Sequence, residues 1–176
     1  MSDAAFVIDE DSERKGSIVV GRNCNFSGAR IYAKVGASVQ IGDNAVVKGT
    51  IIAERGSAVT IGNNFVCNSP VDIRAGGGAS VSFGSDCLLA DVKIYATDYH
   101  EIFDAESGEV LNKPRDVTIG DRVWLAMRSI VLKGASIGND SVVAAGSVVS
   151  GGSFPGNSLL MGVPAAVKRS GIKWRR

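Results

Sequence analysis

The chain of 176 residues holds a single histidine, His100. An imidazole titrates near neutrality, so it is the side chain here best suited to take a proton from a hydroxyl or amine at physiological pH. Carboxylates stand near it at Asp98, Glu101 and Asp104. Any of the three could orient the ring, and spacing does not choose among them. Zinc catalysis wants three histidine ligands or a cysteine cluster. One histidine and three cysteines without C-x-x-C spacing supply neither, so no metal is expected.

The elements that must position His100 show themselves as a repeat. Aliphatic residues fall at Ile119, Leu125, Val131, Ile137, Val143 and Val149, six apart each time. Four residues after each stands a small or β-branched one: Val123, Ser129, Ala135, Ser141, Ser147 and Ser153. Helices repeat near 3.6 and strands alternate at 2, so a period of six fits neither alone. It fits a chain that makes a short strand, turns a corner and repeats, with three hexads closing one triangular coil. The fold class expected is all-β: a parallel β-helix of about six coils.

Earlier in the chain an aliphatic-Gly pair marks the same ruler at Val20-Gly21, Ile41-Gly42, Ile61-Gly62 and Phe83-Gly84. These lie 21, 20 and 22 residues apart, against about 18 for a bare coil. The extra residues belong at corners, with Gly36-Ala37-Ser38, Gly56-Ser57-Ala58 and Gly76-Gly77-Gly78 as the places. Between Phe83 and Ile119 the ruler breaks. A polar, turn-rich excursion over 97–116 carries His100, and a long loop ejected from a solenoid is usually functional. Residues 1–17 read as a polar leader with a mixed-charge run from Asp9 to Lys15, solvated or briefly helical. Residues 18–163 form the β-helix. Ser158–Val163 reads as a closing strand, and 164–176 as a cap over the last coil.

Composition narrows the function classes. The formal net charge of +1 gives no electrostatic case for nucleic acid. No run approaches the ~18 apolar residues of a membrane span, and Met1–Gly16 has neither the basic nor the apolar part of a signal peptide. Cys24 and Cys87 take small hexad positions and Cys67 an aliphatic one, so all three read as packing residues. A reducing cytoplasm is the expected location.

Four motifs carry a further likeness: Asp98-x-His100; Ile119-Gly120-Asp121-x-Val123-Trp124-Leu125-Ala126; Val143-Ala144-Ala145-Gly146-Ser147; and Gly162-Val163-Pro164-Ala165. Over roughly residues 18–174 the chain resembles the hexapeptide-repeat left-handed β-helix acyltransferases, especially the maltose/galactoside and polysaccharide O-acetyltransferases. The resemblance implies a left-handed coil and a homotrimer with active sites between subunits. It implies acetyl-CoA as donor and a sugar or glycan acceptor, as in surface polysaccharide synthesis. By the same likeness His100 is the general base. Asn68, Asp98 and Trp124 would contact the acceptor. Coenzyme A would lie along Ala126, Met127, Ala145, Ser150 and Gly151, with Lys168 and Arg169 at its phosphates. The chain departs from the family pattern at Gly151, where lysine is common, at Ala166, where a basic residue is common, and at Met127.

Two alternatives stay open, and a third is nearly excluded. An N-acetyltransferase of an amino sugar or xenobiotic would use the same base. A structural β-helix without catalysis would not need the His-bearing loop. A metal enzyme on this fold is disfavoured by the histidine count.

Overall fold

A computed structural model describes residues 4–176. The described residues contain strands, turns and loops and no helix. The strands stack into three sheets of 7, 7 and 6 strands that form the walls of a triangular prism. Sheet I runs through Ala5–Ile8, Ala29–Ala33, Gly49–Ala53, Val71–Ala75, Lys93–Tyr95, Ile130–Leu132 and Val148–Val149. Sheet II takes the next strand of each coil, from Ser17–Val20 to Gly152–Phe154, and sheet III the third, from Val66–Cys67 to Ser158–Gly162. Within the coils, neighbouring strands of a sheet come from successive coils and pair in parallel.

Seven coils are present where the repeat predicts about six. The extra one comes from the stretch expected to be a polar leader. Ala5–Ile8 pairs with Arg30–Ala33, and Phe6 meets Phe26 edge-on at 5.2 Å. The mixed-charge run after it is not simply solvated. It folds back through a Glu10–Lys15 bridge, and its carboxylates meet Lys34 from Asp9 (3.1 Å) and Arg55 from Asp11 (3.3 Å). Residues 1–3 of that leader lie outside the described residues.

The hexad aliphatics point inward and stack in columns. Ile31, Ile51, Ile73, Ile94, Val131 and Val149 fill one wall, and Ile41, Ile61, Phe83, Ile119 and Ile137 another. The position four residues on lies at the corner, where little room is left. Phe65 nevertheless occupies it, fully buried with its ring edge-on to Phe83 at 5.1 Å. The aliphatic-Gly pair has a steric cause. At Gly62 a Cβ would sit 2.6 Å from the carbonyl carbon of Gly84 in the next coil, so a side chain does not fit.

The residue after that glycine then reaches along the prism. Asp43 Oδ1 accepts the Arg22 N–H at 2.7 Å, and Asn63 Oδ1 the Asp43 N–H at 2.8 Å. Asp121 Oδ1 accepts from Ser85 N–H at 2.7 Å, and Asn139 Oδ1 from Asp121 N–H at 2.8 Å. The early coils take their extra residues where expected, in tight turns closed by Ala37 N–H to Lys34 O, Ser57 N–H to Glu54 O and Ala79 N–H to Gly76 O. All three lie at the corner between sheets I and II.

The C-terminal segment extends sheet III before it leaves the last coil. Ala165–Ser170 pairs antiparallel with Ser158–Gly162. The chain then turns back along the corner between sheets II and III. Ile172 N–H donates to Asn157 O, Trp174 Nε1 to Arg122 O at 2.7 Å, and Arg176 to Asn64 O at 2.8 Å.

Candidate functional site

The 97–116 excursion leaves the corner between sheets I and II in the fifth coil, between Lys93–Tyr95 and Val117–Ile119. It is a compact hairpin. Phe103 and Val110 bridge antiparallel, and Leu111 N–H donates to Ile102 O at 2.8 Å. Asp104 closes the tip by accepting the Ser107 N–H (2.8 Å) and Ser107 Oγ–H (2.9 Å), and the Ser107 donors hold its carboxyl below the usual carboxylate range. Asp104 therefore serves the turn. At the base, Arg115 N–H donates to Ala96 O, and Ser80 N–H to Asp116 Oδ1 at 2.8 Å.

His100 lies exposed on the outgoing leg, at the edge of a cavity of about 740 Å³. Glu54, Arg55, Gly77, Tyr99 and Lys113 share its lining. The residue before the histidine, Tyr99, has φ +63°, a region that bulky side chains rarely adopt. Its N–H donates to Thr97 Oγ1 at 3.1 Å, and its ring lies 5.9 Å from the Arg74 guanidinium. Arg74 stands at the same distance from Tyr95 and donates to Asp72 Oδ1 at 2.8 Å. Asp72 Oδ2 accepts a hydrogen bond from the Tyr95 hydroxyl at 2.7 Å. Burial, with the Asp72 acceptor behind it, pushes Tyr95 up to about 12. This polar shelf on the outer face of sheet I lies against the loop.

Asp98 is committed to the loop's own architecture. Its Oδ2 accepts from Lys133 Nζ and from Asn112 Nδ2, the latter at 2.8 Å. The Lys133 ammonium, seconded by Asn112, holds its carboxyl below the ordinary value. Lys133 and Asn112 are missing from the set of residues the sequence nominates. Neither falls on the hexad ruler, and no periodicity or motif marks them. The same holds for Tyr99 and Arg74.

The remaining expected site residues divide between the two corners that flank sheet I. Asn68 is exposed at the corner leading into the sheet, its N–H donating to Leu89 O and its carbonyl accepting from Lys48 Nζ at 3.4 Å. Ala126, Met127 and Ala145 stack at that corner, where Gly146 N–H donates to Met127 O at 3.0 Å. Ala126 is buried, while Ala145 and Met127 are exposed, so a shelf of small side chains with one flexible thioether faces outward. Ser150 and Gly151 lie at the opposite corner, beneath the His100 loop, with Arg115 close to Gly151. Lys168 and Arg169 are exposed on the final strand.

Trp124 points outward from sheet III, 37% exposed, and packs on Trp174 with ring centroids 6.0 Å apart. Within one chain, then, Asp98 and His100 come together, whereas Asn68, Trp124 and the alanine shelf do not join them. Sheet I stands between; its strand Val71–Ala75, five residues long, spans roughly 13 Å at ~3.3 Å per residue. Cys67 and Cys87 are buried free thiols pushed up to about 12 and about 11 by burial, which suits packing and not nucleophilic chemistry.

Comparison with known proteins agrees with this architecture. The model of the bacterial transferase hexapeptide (six repeats) matches residues 116–151, and that of the hexapeptide repeat of succinyl-transferase matches 17–52. A polysialic acid O-acetyltransferase of Neisseria meningitidis is 30% identical over 120 residues, 67% of this chain and 56% of that protein. The "Putative lipopolysaccharide biosynthesis O-acetyl transferase WbbJ" of Escherichia coli K12 is 41% identical over 98 residues, 50% of this chain and 49% of WbbJ. The chain thus spans about half the length of the curated relatives it matches. Among solved structures, the polySia-specific acetyltransferase NeuO superposes with a TM-score of 0.80 at 25% identity, over 100% of this chain and 88% of NeuO. The coil is the left-handed parallel β-helix that the resemblance implies.

Proposed function

We propose that this chain, a left-handed β-helix of hexapeptide repeats related to the surface-glycan O-acetyltransferases, moves an acetyl group from acetyl-CoA to a sugar hydroxyl. The observation that carries the reading is the place of His100. The chain's single histidine stands on the long loop that leaves the prism, exposed at the edge of a cavity large enough for a sugar. In the reaction its imidazole takes the acceptor hydroxyl's proton as the oxygen bonds to the acetyl carbon. When the carbon–sulfur bond breaks, the imidazolium returns that proton to the leaving sulfur, so ester and free thiol form with the base restored. Acetyl-CoA supplies the activated acetyl as its thioester. The exposed, small side chain of Ala145, stacked on buried Ala126, leaves corner backbone open to an amide-bearing arm, and Lys168 and Arg169 are exposed cations for phosphates. Asn68 is the donor for the oxyanion, and Trp124 lines the acceptor side. The reaction uses cytoplasmic acetyl-CoA, which agrees with the free thiols.

The site is completed in a homotrimer. Its two halves occupy the two corners that flank sheet I. Packing three prisms about a three-fold axis on that sheet brings the His100 corner of one copy to the Asn68–Ala126 corner of the next.

His100→Ala tests the base. With acetyl-CoA and a panel of oligosaccharide and amino-sugar acceptors, release of free thiol should fall by roughly 10² to 10⁴ in kcat while the fold is kept. Activity within about threefold of the native chain removes His100 from the mechanism. The acceptors that turn over decide between hydroxyl and amine transfer.

A further inference from the structure

We infer that Lys133 positions His100, acting through Asp98 and Asn112. The inference rests on the reading of His100 as base. Lys133 follows the sheet I strand Ile130–Leu132 in the sixth coil, one coil beyond the point where the loop departs. Its side chain is only 13% exposed, unlike the surface lysines of the chain. Its ammonium makes two bonds, one to each leg of the loop. On the outgoing leg it meets Asp98 Oδ2, and on the returning leg it donates to the Asn112 carbonyl at 2.6 Å.

Asn112 closes the triangle. Its amide donates to Asp98 Oδ2 at 2.8 Å and to the His100 carbonyl oxygen at 2.8 Å, and its own Oδ1 accepts the Ile102 N–H at 2.7 Å. The His100 backbone is thus gripped on both sides by one asparagine, and that asparagine is held by one lysine. The charge-assisted bonds of Lys133 are the strong members of this set.

Why a clamp is needed shows one residue earlier. Tyr99 holds φ +63°, and such a conformation at a bulky residue persists only where its surroundings over-determine it. Tyr99 is fixed from above by Arg74 and from below by Thr97 Oγ1. The clamp fixes the next residue, so the direction in which the imidazole leaves the backbone is set from two independent places. Lys133 belongs to a coil, which is rigid. His100 belongs to a loop, which without the clamp is tied to the prism mainly through its base. The lysine transfers the rigidity of the coil to the base.

Because His100 is the chain's only histidine, its ring gives one unambiguous set of imidazole signals by NMR. In the full chain with isotope-labelled histidine, Lys133→Met should move those signals toward the shifts of an unstructured peptide. The methyl signals of buried Ile119 and Leu125 should stay in place. Lys133→Arg should keep the native ring signals. Asn112→Ala, which leaves the lysine intact and removes only the amide, should move the ring signals in the same direction. In acetyl transfer, Lys133→Met should lower kcat by about tenfold to a hundredfold with the KM for acetyl-CoA unchanged. Native ring signals in both Lys133→Met and Asn112→Ala overturn the clamp whatever the rate. A loss of rate carried by KM for acetyl-CoA overturns it as well. The outcome is separable from the base reading. That reading fails on the rate of His100→Ala, and the ring signals report on the clamp without any turnover.

Discussion

Two corners of the prism obey different rules. At the corner between sheets II and III, coil after coil repeats one device: an aliphatic, a glycine with no room for a Cβ, and a side-chain acceptor for a backbone N–H of the coil before. Asn44, Asn64, Asp86, Arg122 and Asp140 follow in turn, each with positive φ. At the corner between sheets I and II the second to fourth coils share one tight turn, and in the fifth 97–116 departs. The first corner is held by neighbours one coil apart, which is the one-dimensional logic of a solenoid. The second holds a polar constellation in which every member is particular: a largely covered lysine, a strained tyrosine, an asparagine with four bonds. The regular corner makes a straight scaffold, and the interrupted one spends that straightness on positioning a single imidazole.

The sharpest way to test this division is to damage the scaffold and leave the loop alone. Phe65 fills the small corner position of the third coil and packs on Phe83. Phe65→Ala should destabilise the fold by about 3–5 kcal/mol, the cost of a large aromatic cavity. Below the new melting temperature, kcat should stay within about twofold, because no member of the loop clamp touches that position. His100→Ala should show the reverse, with stability kept and rate lost. If Phe65→Ala lowers the rate of the folded protein as far as His100→Ala does, scaffold and site are not separable and the comparison fails.

A second test asks whether the two flanking corners work within one chain or between chains. His100→Ala and Asn68→Ala should each lose roughly 10² or more in rate, from loss of a base and of an oxyanion donor. Unfolded, mixed and refolded together, the two variants should recover about a quarter of native activity, because a random trimer pairs an intact His100 with a neighbour's intact Asn68 at about that frequency. No recovery, in a mixture shown by sedimentation to contain trimers, places both halves of the site on one chain.

The scaffold was legible because it is periodic. The run from Ile119 to Ser153 dictates the wall, the corner and the inward column, and the glycine rule at Gly62 or Gly120 is written once per coil. The first coil was missed because Ala5–Ile8 lacks the aliphatic-Gly signature and precedes a charged run. Phe6 finds its packing partner only in Phe26, which no local pattern joins to it. His100 stood out by being alone. Lys133 did not, since a lysine after a strand looks like solvent-facing charge until the loop is seen to close over it. Trp124 stands outward on sheet III, yet its partner Trp174 lies fifty residues on, in a segment expected only to cap the last coil. Polar contacts between a loop and a distant coil leave no period, so the clamp could be found only in three dimensions.

The smallest expected effect separates the corners by pH. Asp98 is held below the ordinary carboxylate value by Lys133 and Asn112, so its grip on the loop is fully present above about pH 4 and is lost as the pH falls through its depressed value. The carboxylate is substantially exposed, which screens the ion pair and keeps the loss modest. Hydrogen exchange of the Ile102 amide, which depends on Asn112, should therefore quicken under acid relative to the strand amides of Ile119 and Ile137, beyond the intrinsic pH trend they share. Asp98→Asn should show the faster Ile102 exchange already at neutral pH and no further relative change on acidification. Equal relative exchange of Ile102 in native chain and variant across that range would mean that the ion pair is ornamental, and the lysine would have to hold the loop through the Asn112 carbonyl alone.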